Sequence, residues 1–235
     1  MEKEYKALVV NEVNEVNAAF EQTIQTLHID NLPKGDVLVK VHYSSINYKD
    51  ALSATGNKGI TKKYPHTPGI DAAGEVVSSL DDKFKEGDKV IVTGYDLGMN
   101  TSGGFGQYIR VPSEWVVQLP EGLSLKESMI IGTAGFTAGI SVLRLSALVK
   151  PSDGKILVSG ATGGVGSVAL SLLSKLGYQT VAISGKETEY HFLRKLGAIE
   201  ILPRADFQEV INDLCFRLNM PGLSTLWAGR FWRIS

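Results

Sequence analysis

The stretch VSGATGGVG, residues 158–166, joins an apolar run to a segment whose apolar residues have helical spacing. Glycine is unfavourable at the start of a helix because it loses much conformational freedom on folding. Its density therefore indicates that something must approach the backbone of residues 160–166, which we call the glycine turn. A helix N-terminus offers unpaired N–H groups and a positive dipole end, which suit a pyrophosphate. A tight turn with a purely structural role is the alternative interpretation.

Strands and helices alternate on both sides of the glycine turn. Apolar runs predict strands at residues 155–159, 180–183 and 199–202, and helical spacing predicts helices at residues 164–176 and 187–196. This alternation is typical of a parallel sheet with right-handed crossovers. The fold class predicted for this region is α/β, a Rossmann-type doubly wound sheet that is incomplete at its C-terminal end.

The chain before about Leu125 has a different pattern. Short runs that are rich in β-forming residues recur with Gly or Pro near their ends, at residues 5–10, 37–43, 72–77, 89–93, 107–111 and 115–119. Ser124 then stands three residues before Glu127, a capping box that opens a long helical pattern. We therefore expect a β-rich domain at 1–124 and an α/β domain at 125–214.

Composition excludes several classes of protein. A formal net charge of -1 in 235 residues gives no basic excess for nucleic acid. Cys215 is the single cysteine, so no internal disulfide forms, as is usual in a reducing compartment. No stretch approaches the roughly eighteen apolar residues of a membrane span. We expect a cytoplasmic protein without a membrane or nucleic-acid partner.

The end of the second parallel strand indicates which dinucleotide binds. A ribose with a free 2′-OH is usually held there by Asp or Glu. This chain instead has Ser184, Gly185 and Lys186, and a hydroxyl, a bare amide and a cation suit a 2′-phosphate. NADPH is thus favoured over NADH, the alternative being a solvated loop lysine. Arg204 either closes over the same phosphate or is a surface arginine.

Six collinear motifs carry a resemblance to a known family. They are SSINYKDAL (44–52), PGIDAAGEV (68–76), EGDKVIVTG (86–94), GGFGQYIRVP (103–112), MIIGTAGFTA (129–138) and SGATGGVGSVA (159–169). The sequence resembles the medium-chain dehydrogenase/reductase superfamily, in its zinc-independent branch of quinone oxidoreductases and acryloyl-CoA reductases. The resemblance implies a GroES-like catalytic domain, a Rossmann domain and an active site in the cleft between them.

The resemblance also implies a reaction and its residues. NADPH would deliver hydride to an enone, a quinone or an acryloyl thioester, with cofactor contacts at Thr162, Gly163, Gly164 and Val165 and on the 2′-phosphate at Ser184–Lys186 and Arg204. Tyr48 is the candidate catalytic residue and a cofactor contact, the alternative being a packed structural tyrosine. Relatives with zinc have Gly-His-Glu where this chain has residues 69–71, Gly-Ile-Asp, so we expect no metal.

The end of the chain departs from the family pattern. We expect residues 215–235 to be an atypical tail without a β-rich run, which arose by truncation or out-of-frame translation. Relatives form homodimers through later segments, so a dimer is in doubt here. The alternatives to an active reductase are a non-enzymatic NADPH-binding protein and an inactive fragment.

Overall fold

The computed structural model describes residues 3–14, 19–205 and 231–234. The chain divides into two compact units, which we call the β-rich unit (Met1–Thr133) and the α/β unit (Ala134–Ser235). The division falls inside a helix, after the boundary predicted at residue 124. The assignment of separate catalytic and cofactor domains stays a prediction.

The β-rich unit contains two antiparallel sheets. One has two strands, in the order β1-β2, and the other has five, in the order β6-β3-β4-β5-β7. The bounds of the elements are β1 (Glu4–Asn14), β2 (Ala19–His28), β3 (Val37–Tyr43), α1 (Tyr48–Ala54), β4 (Asp71–Ser79), β5 (Lys89–Thr93), β6 (Tyr108–Val111) and β7 (Val116–Gln118). The β-rich character predicted for this region is confirmed, whereas β2 and α1 were not predicted.

Alternating residues of the five-stranded sheet build the main core of this unit. The members are valines and other apolar residues that point to one face, among them Val37, Val39, Val90, Val92 and Ile109. A second cluster forms where β1 packs, and it includes Tyr5, Ala7, Val9 and Leu38. Strand β3 therefore contributes to a core on each of its faces, which fixes its register.

Helix α2 (Leu125–Ser146) begins with the predicted capping box. The Ser124 hydroxyl donates to Glu127 Oε2 at 2.6 Å, and the Glu127 amide donates back to Ser124 Oγ at 3.2 Å. The helix breaks at Gly132, whose φ of 51° and ψ of -164° are not helical. Apolar residues on both sides of the break are buried in cores, Met129 before it and Val142 after it.

The length of α2 corrects one expectation. Its 22 residues are long and apolar enough to pass as a membrane span by length and composition, although the sequence indicated no such stretch. One third of its apolar window is buried inside the structure, and its regular geometry is interrupted at Gly132.

The α/β unit has a four-stranded sheet in the order β10-β9-β8-β11. The elements are β8 (Lys155–Ser159), α3 (Gly164–Lys175), β9 (Thr180–Ser184), α4 (Tyr190–Lys195), β10 (Ala198–Pro203) and β11 (Phe231–Ile234). Strands β8, β9 and β10 are parallel, as predicted, and their apolar residues pack with Leu170 and Leu173 of α3 and Leu193 of α4.

Strand β11 contradicts the expectation that the tail has no strand. Phe231–Ile234 pairs with β8 in the antiparallel direction, with Phe231 opposite Val158 and Ile234 opposite Lys155. The rest of the predicted tail, including Cys215 and Trp227, lies outside the described residues.

Candidate functional site

The glycine turn leads from β8 directly into α3, as predicted. Gly160 has a φ of +60°, a conformation that favours glycine. A Cβ atom on Gly166 would lie 2.3 Å from the carbonyl oxygen of Gly160, so a side chain there has no room. Gly163 is the N-cap residue of α3, and both Gly163 and Gly164 are exposed. The first-turn N–H groups of α3 are therefore on an accessible, side-chain-free surface that suits an anion.

Thr162 and Val165, the other two predicted contacts in the turn, are partly buried. Val165 packs against the core of the α/β unit, so its side chain has a structural role and only its backbone is available to a ligand. No acidic residue occupies the first turn of α3. The partial positive charge of this helix end is thus not offset by its own side chains.

Ser184, Gly185, Lys186 and Arg204 come together at the carboxyl ends of β9 and β10. Ser184 pairs with Pro203 across the two strands, and its hydroxyl accepts from the Lys186 amide at 3.0 Å. A Cβ atom on Gly185 would be 3.8 Å from Arg204 Cβ, so the arginine lies directly beside the glycine. Two cationic residues therefore follow neighbouring parallel strands at the same edge of the sheet.

The two cations of this cluster are exposed. Within the described part of the chain, the ion pairs are His28–Asp30, His42–Glu75, Lys58–Glu12 and Lys155–Glu200, so neither Lys186 nor Arg204 is held by a carboxylate. Both charges are therefore available to an anionic ligand. The end of β9 carries Ser184 and not an Asp or Glu, which would repel a phosphate.

Tyr48 is the first residue of α1 in the β-rich unit, and 80% of its surface is exposed. The alternative of a packed structural tyrosine is therefore wrong within this structure. The helix start is held by Asp50, which accepts from the Asn47 amide at 2.7 Å and from the Ile70 amide at 2.9 Å. Tyr48 thus projects from a backbone that is fixed at its N-terminal end.

Asp50, the third residue of α1, is a buried acidic side chain. Only 1% of Asp50 is exposed. Burial raises the pKa of its carboxyl group, and the charge of Asp71 adds to this, whereas the hydrogen bonds from Asn47 and Ile70 lower it. The buried carboxyl group caps the N-terminus of α1 and connects this helix to the loop before β4.

Asp71 is a second buried carboxylate, with 0% exposure. Its Oδ2 accepts from the Ser45 hydroxyl, from Asn47 Nδ2 at 2.9 Å and from the Thr133 amide at 2.9 Å, while Oδ1 accepts from the Thr133 hydroxyl at 2.7 Å. One side chain therefore ties the segment before α1 to the break in α2. We call these four residues the Asp71 cluster.

The Asp71 cluster also explains the break at Gly132. A Cβ atom there would lie 2.8 Å from Ser45 Oγ and 3.0 Å from Asp71 Oδ2. Sequence reasoning noted Asp71 only as the counterpart of a zinc-family residue and missed this role. The available signal was a carboxylate between the apolar residues Ile70 and Ala72, directly before the predicted strand at 72–77, because a carboxylate in apolar surroundings requires hydrogen-bond partners.

Neither residue that replaces the His-Glu pair of the zinc-dependent pattern is free to bind a metal, because Ile70 is apolar and Asp71 accepts four hydrogen bonds. Among the described residues, no group of three or more His, Cys, Asp or Glu side chains is placed to hold a metal ion. His28 and His42 pair with separate carboxylates, and His66 is buried with an unpartnered Nε2 atom. Independence from zinc stays a prediction.

Comparison with known proteins gives a consistent set of relatives. Residues 33–121 match the alcohol dehydrogenase GroES-like domain family. The chain is 48% identical over 208 residues to the probable acrylyl-CoA reductase AcuI of Escherichia coli K12, which covers 88% of this chain and 61% of that protein. It is 50% identical over 184 residues to the putative quinone oxidoreductase YhfP of Bacillus subtilis 168, which covers 78% of this chain and 56% of that protein.

Solved structures agree with these relatives. The YhdH oxidoreductase of Salmonella enterica in complex with NADP superposes with a TM-score of 0.82 at 47% identity, over 86% of this chain and 62% of that chain. YhfP of Bacillus subtilis with NAD bound also has a TM-score of 0.82, at 47% identity, over 87% of this chain and 62% of that chain. The chain therefore spans about six tenths of the length of these proteins.

Proposed function

Because this chain belongs to the medium-chain dehydrogenases and reductases, alongside acrylyl-CoA reductases and quinone oxidoreductases, we propose that it is an NADPH-dependent oxidoreductase. The substrates proposed are small molecules with an activated C=C bond or a quinone ring. A zinc-independent reaction is part of the proposal, because the apolar Ile70 stands where the zinc-dependent pattern has its histidine, and Asp71 is engaged in four hydrogen bonds.

The observation that carries the proposal is the cluster of Ser184, Gly185, Lys186 and Arg204 beside an exposed glycine turn in the same unit. Amides at the start of α3 would bind the pyrophosphate, and Lys186 and Arg204 would bind the 2′-phosphate. YhdH was crystallised with NADP and YhfP with NAD, so relatives at similar identity differ in the nucleotide they hold. The two exposed cations favour the phosphorylated nucleotide for this chain.

When bound, NADPH supplies a hydride to the substrate, and the residues of the chain supply the hydrogen bonds. Negative charge collects on the carbonyl oxygen of the substrate, and the Tyr48 hydroxyl is the proposed donor to that oxygen. Asn47 Nδ2 donates to Asp71 Oδ2 at 2.9 Å and to Ser45 Oγ at 3.3 Å, so both hydrogens of its NH₂ group are used within the chain and the side chain positions the segment. Tyr48 and Lys49 are the exposed polar residues at the start of α1, and the tyrosine hydroxyl is the donor proposed here.

Charge reversal at Lys186 tests the cofactor assignment. We expect Lys186→Glu to lower the affinity for NADPH at least tenfold, because it replaces attraction to the 2′-phosphate by repulsion. The affinity for NADH is expected to change less than twofold. Binding is measured by the fluorescence of the reduced nicotinamide. Lys195→Glu, at an exposed lysine at the end of α4, is the matched control for net charge. Equal losses for NADPH and NADH would remove the assignment of Lys186.

Turnover tests the enzymatic part of the proposal. NADPH oxidation is followed with acrylyl-CoA, a simple enone and a quinone in turn. We expect Tyr48→Phe to lower kcat about tenfold with little change in NADPH affinity, whereas Tyr43→Phe, at another exposed tyrosine of the same unit, leaves kcat unchanged. Nucleotide binding without turnover of any of the three would favour a non-enzymatic NADPH-binding protein.

A further inference from the structure

His66 is a buried histidine with one unused ring nitrogen. Only 6% of its surface is exposed, and its Nε2 atom has no hydrogen-bond partner among the described residues. The ring is hydrogen-bonded to the backbone of Gly98, and this bond therefore uses Nδ1. Backbone hydrogen bonds with Val10 of β1, at 2.8 and 3.0 Å, fix the position of the residue.

The loop that receives this bond connects β5 to β6. We call its residues 94–101 the Asp96 loop. The backbone oxygen of Asp96 accepts from the amides of the next turn, Met99–Thr101, at 3.2 to 3.4 Å. Its carboxylate accepts from Asn100 Nδ2 at 2.9 Å and from the Thr101 hydroxyl at 3.3 Å. The loop is thus folded around Asp96, and the longer of these two side-chain bonds is the one from Thr101.

The other titratable groups around His66 have partners of their own. The ring of Tyr64 meets that of His66 edge to face, with centroids 6.4 Å apart, and its hydroxyl donates to the Ser53 carbonyl at 2.7 Å. Burial raises the pKa of Tyr64, so this side chain stays neutral in neutral and acidic solution. Lys58 lies over the Tyr64 ring at 4.9 Å and is paired with Glu12 of β1 at 2.6 Å.

Asp96 differs from these groups. In the part of the chain that the structure describes, its carboxylate belongs to none of the ion pairs, and its charge acts on His66. Burial lowers the pKa of the histidine, and the Gly98 backbone and Asp96 offset part of this effect. The ring therefore takes up a proton below its ordinary pKa of 6.5, and it then carries a buried charge and a second N–H group.

We propose that the Asp96 loop is a pH-responsive element of the β-rich unit. When Nε2 of His66 takes up a proton from solvent, the new N–H group has no acceptor where it lies, and the loop rearranges so that Asp96 Oδ2 accepts from it. The Thr101 hydroxyl gives up its bond to Oδ2 and turns to solvent. An unpaired buried charge is more unfavourable than the loss of one long hydrogen bond, which sets the direction of the change. The proposal is independent of the reductase function.

The rearrangement extends to an exposed aromatic ring beside Asp96. Tyr95 has a φ of +52°, in the left-handed region that favours glycine, and 62% of its surface is exposed. Its ring stacks on Trp115, with centroids 5.3 Å apart and planes 6° apart, and its hydroxyl donates to the Glu114 carbonyl at 3.2 Å. These contacts hold a backbone conformation that is unfavourable for tyrosine, so we expect a shift of Asp96 to separate the two rings.

Tryptophan emission follows this stack. In the full chain with Trp227→Phe and Trp232→Phe, Trp115 is the remaining tryptophan. On acidification from neutral pH we expect its emission to change in one step with a midpoint below 6.5, while the far-ultraviolet circular dichroism stays constant. Constant emission would overturn the proposal. A change that occurs only together with loss of the circular dichroism signal would overturn it as well, because it would report unfolding of the whole unit.

Three variants assign the step to its groups. His66→Gln removes the titration and keeps a polar side chain, so we expect no step. Asp96→Asn removes the acceptor charge, so we expect the midpoint to fall by at least about half a pH unit. His42→Gln, at an exposed histidine that pairs with Glu75 at 3.6 Å, is the matched control and should keep the midpoint. A step that persists in His66→Gln, or a midpoint that is unchanged in Asp96→Asn, contradicts the proposal.

Nuclear magnetic resonance of the parent chain gives a test that needs no variant. The Cε1–H resonance of His66 and the backbone amide of Gly98, which donates to the Thr101 carbonyl at 2.7 Å, are followed against pH. We expect both to titrate with one midpoint, while the amides of β4 do not shift with it. A Gly98 amide that does not respond while the His66 ring titrates would show that the loop does not sense the proton.

Discussion

Removal of the Asp71 carboxylate is expected to be among the most destabilising single changes in the β-rich unit. The fully buried side chain accepts four hydrogen bonds, from Ser45, Asn47 and the amide and hydroxyl of Thr133. Hydrogen bonds to a charged acceptor contribute about 1.5–3 kcal/mol each, but bonds that share one acceptor are not additive. The substitution to alanine also removes a charge whose burial is unfavourable, and this gain offsets part of the loss. We expect Asp71→Ala to lower the free energy of unfolding by about 3 kcal/mol.

Asp71→Asn separates charge from geometry. The amide oxygen can keep the position of Oδ2, with its three donors, while the Thr133 hydroxyl rotates to accept from the new NH₂ group. The expected cost is about 1–2 kcal/mol. Urea unfolding is followed by circular dichroism, with Asp82→Asn as the control at an exposed aspartate, expected within about 0.5 kcal/mol of the parent. A cost below 1 kcal/mol for Asp71→Ala would refute the reasoning.

Two further predictions concern buried groups. Burial lowers the pKa of His66 below its ordinary 6.5. The unfolded chain therefore binds a proton at higher pH than the folded chain, and stability falls as pH drops below about 6.5. We expect His66→Leu to reduce the pH dependence of the urea midpoint measured between pH 5 and 7. Gly166→Ala places a Cβ atom 2.3 Å from Gly160 O, and we expect a loss of about 1–3 kcal/mol in thermal unfolding together with weaker NADPH binding. Gly139→Ala, where a Cβ atom meets nothing within 4 Å, is the matched control and should be neutral or stabilising.

Features with a local cause were predictable from the sequence. The capping box at Ser124 and Glu127 involves residues three apart, and the glycine turn is one continuous stretch between a strand and a helix. The parallel strands are short apolar runs, and their order follows from alternation with helices. The candidate cations Lys186 and Arg204 were found because the carboxyl ends of neighbouring parallel strands meet at one edge.

Features with a long-range cause were not predictable. The break at Gly132 depends on hydrogen bonds between Thr133 and Asp71, 62 positions apart in the sequence. The helical spacing of apolar residues over 125–146 therefore gave no sign of it. Helix α1 has seven residues, too few to establish a helical period, and it is held by Asp50 through Ile70. Strand β11 is formed by its pairing with β8, and its four residues are too few for an alternation of apolar and polar residues that would predict a strand.

The segment before α1 separates its own anchors from its outer surface. Ser45 and Asn47 point inward to Asp71, whereas Ile46 and Tyr48, at alternate positions, are 88% and 80% exposed. Substitutions at positions 46 and 48 can thus change the outer surface of this segment while the inward hydrogen bonds persist. The segment can therefore vary in sequence on its exposed side without losing its backbone conformation, because the residues that fix the backbone lie on the opposite side.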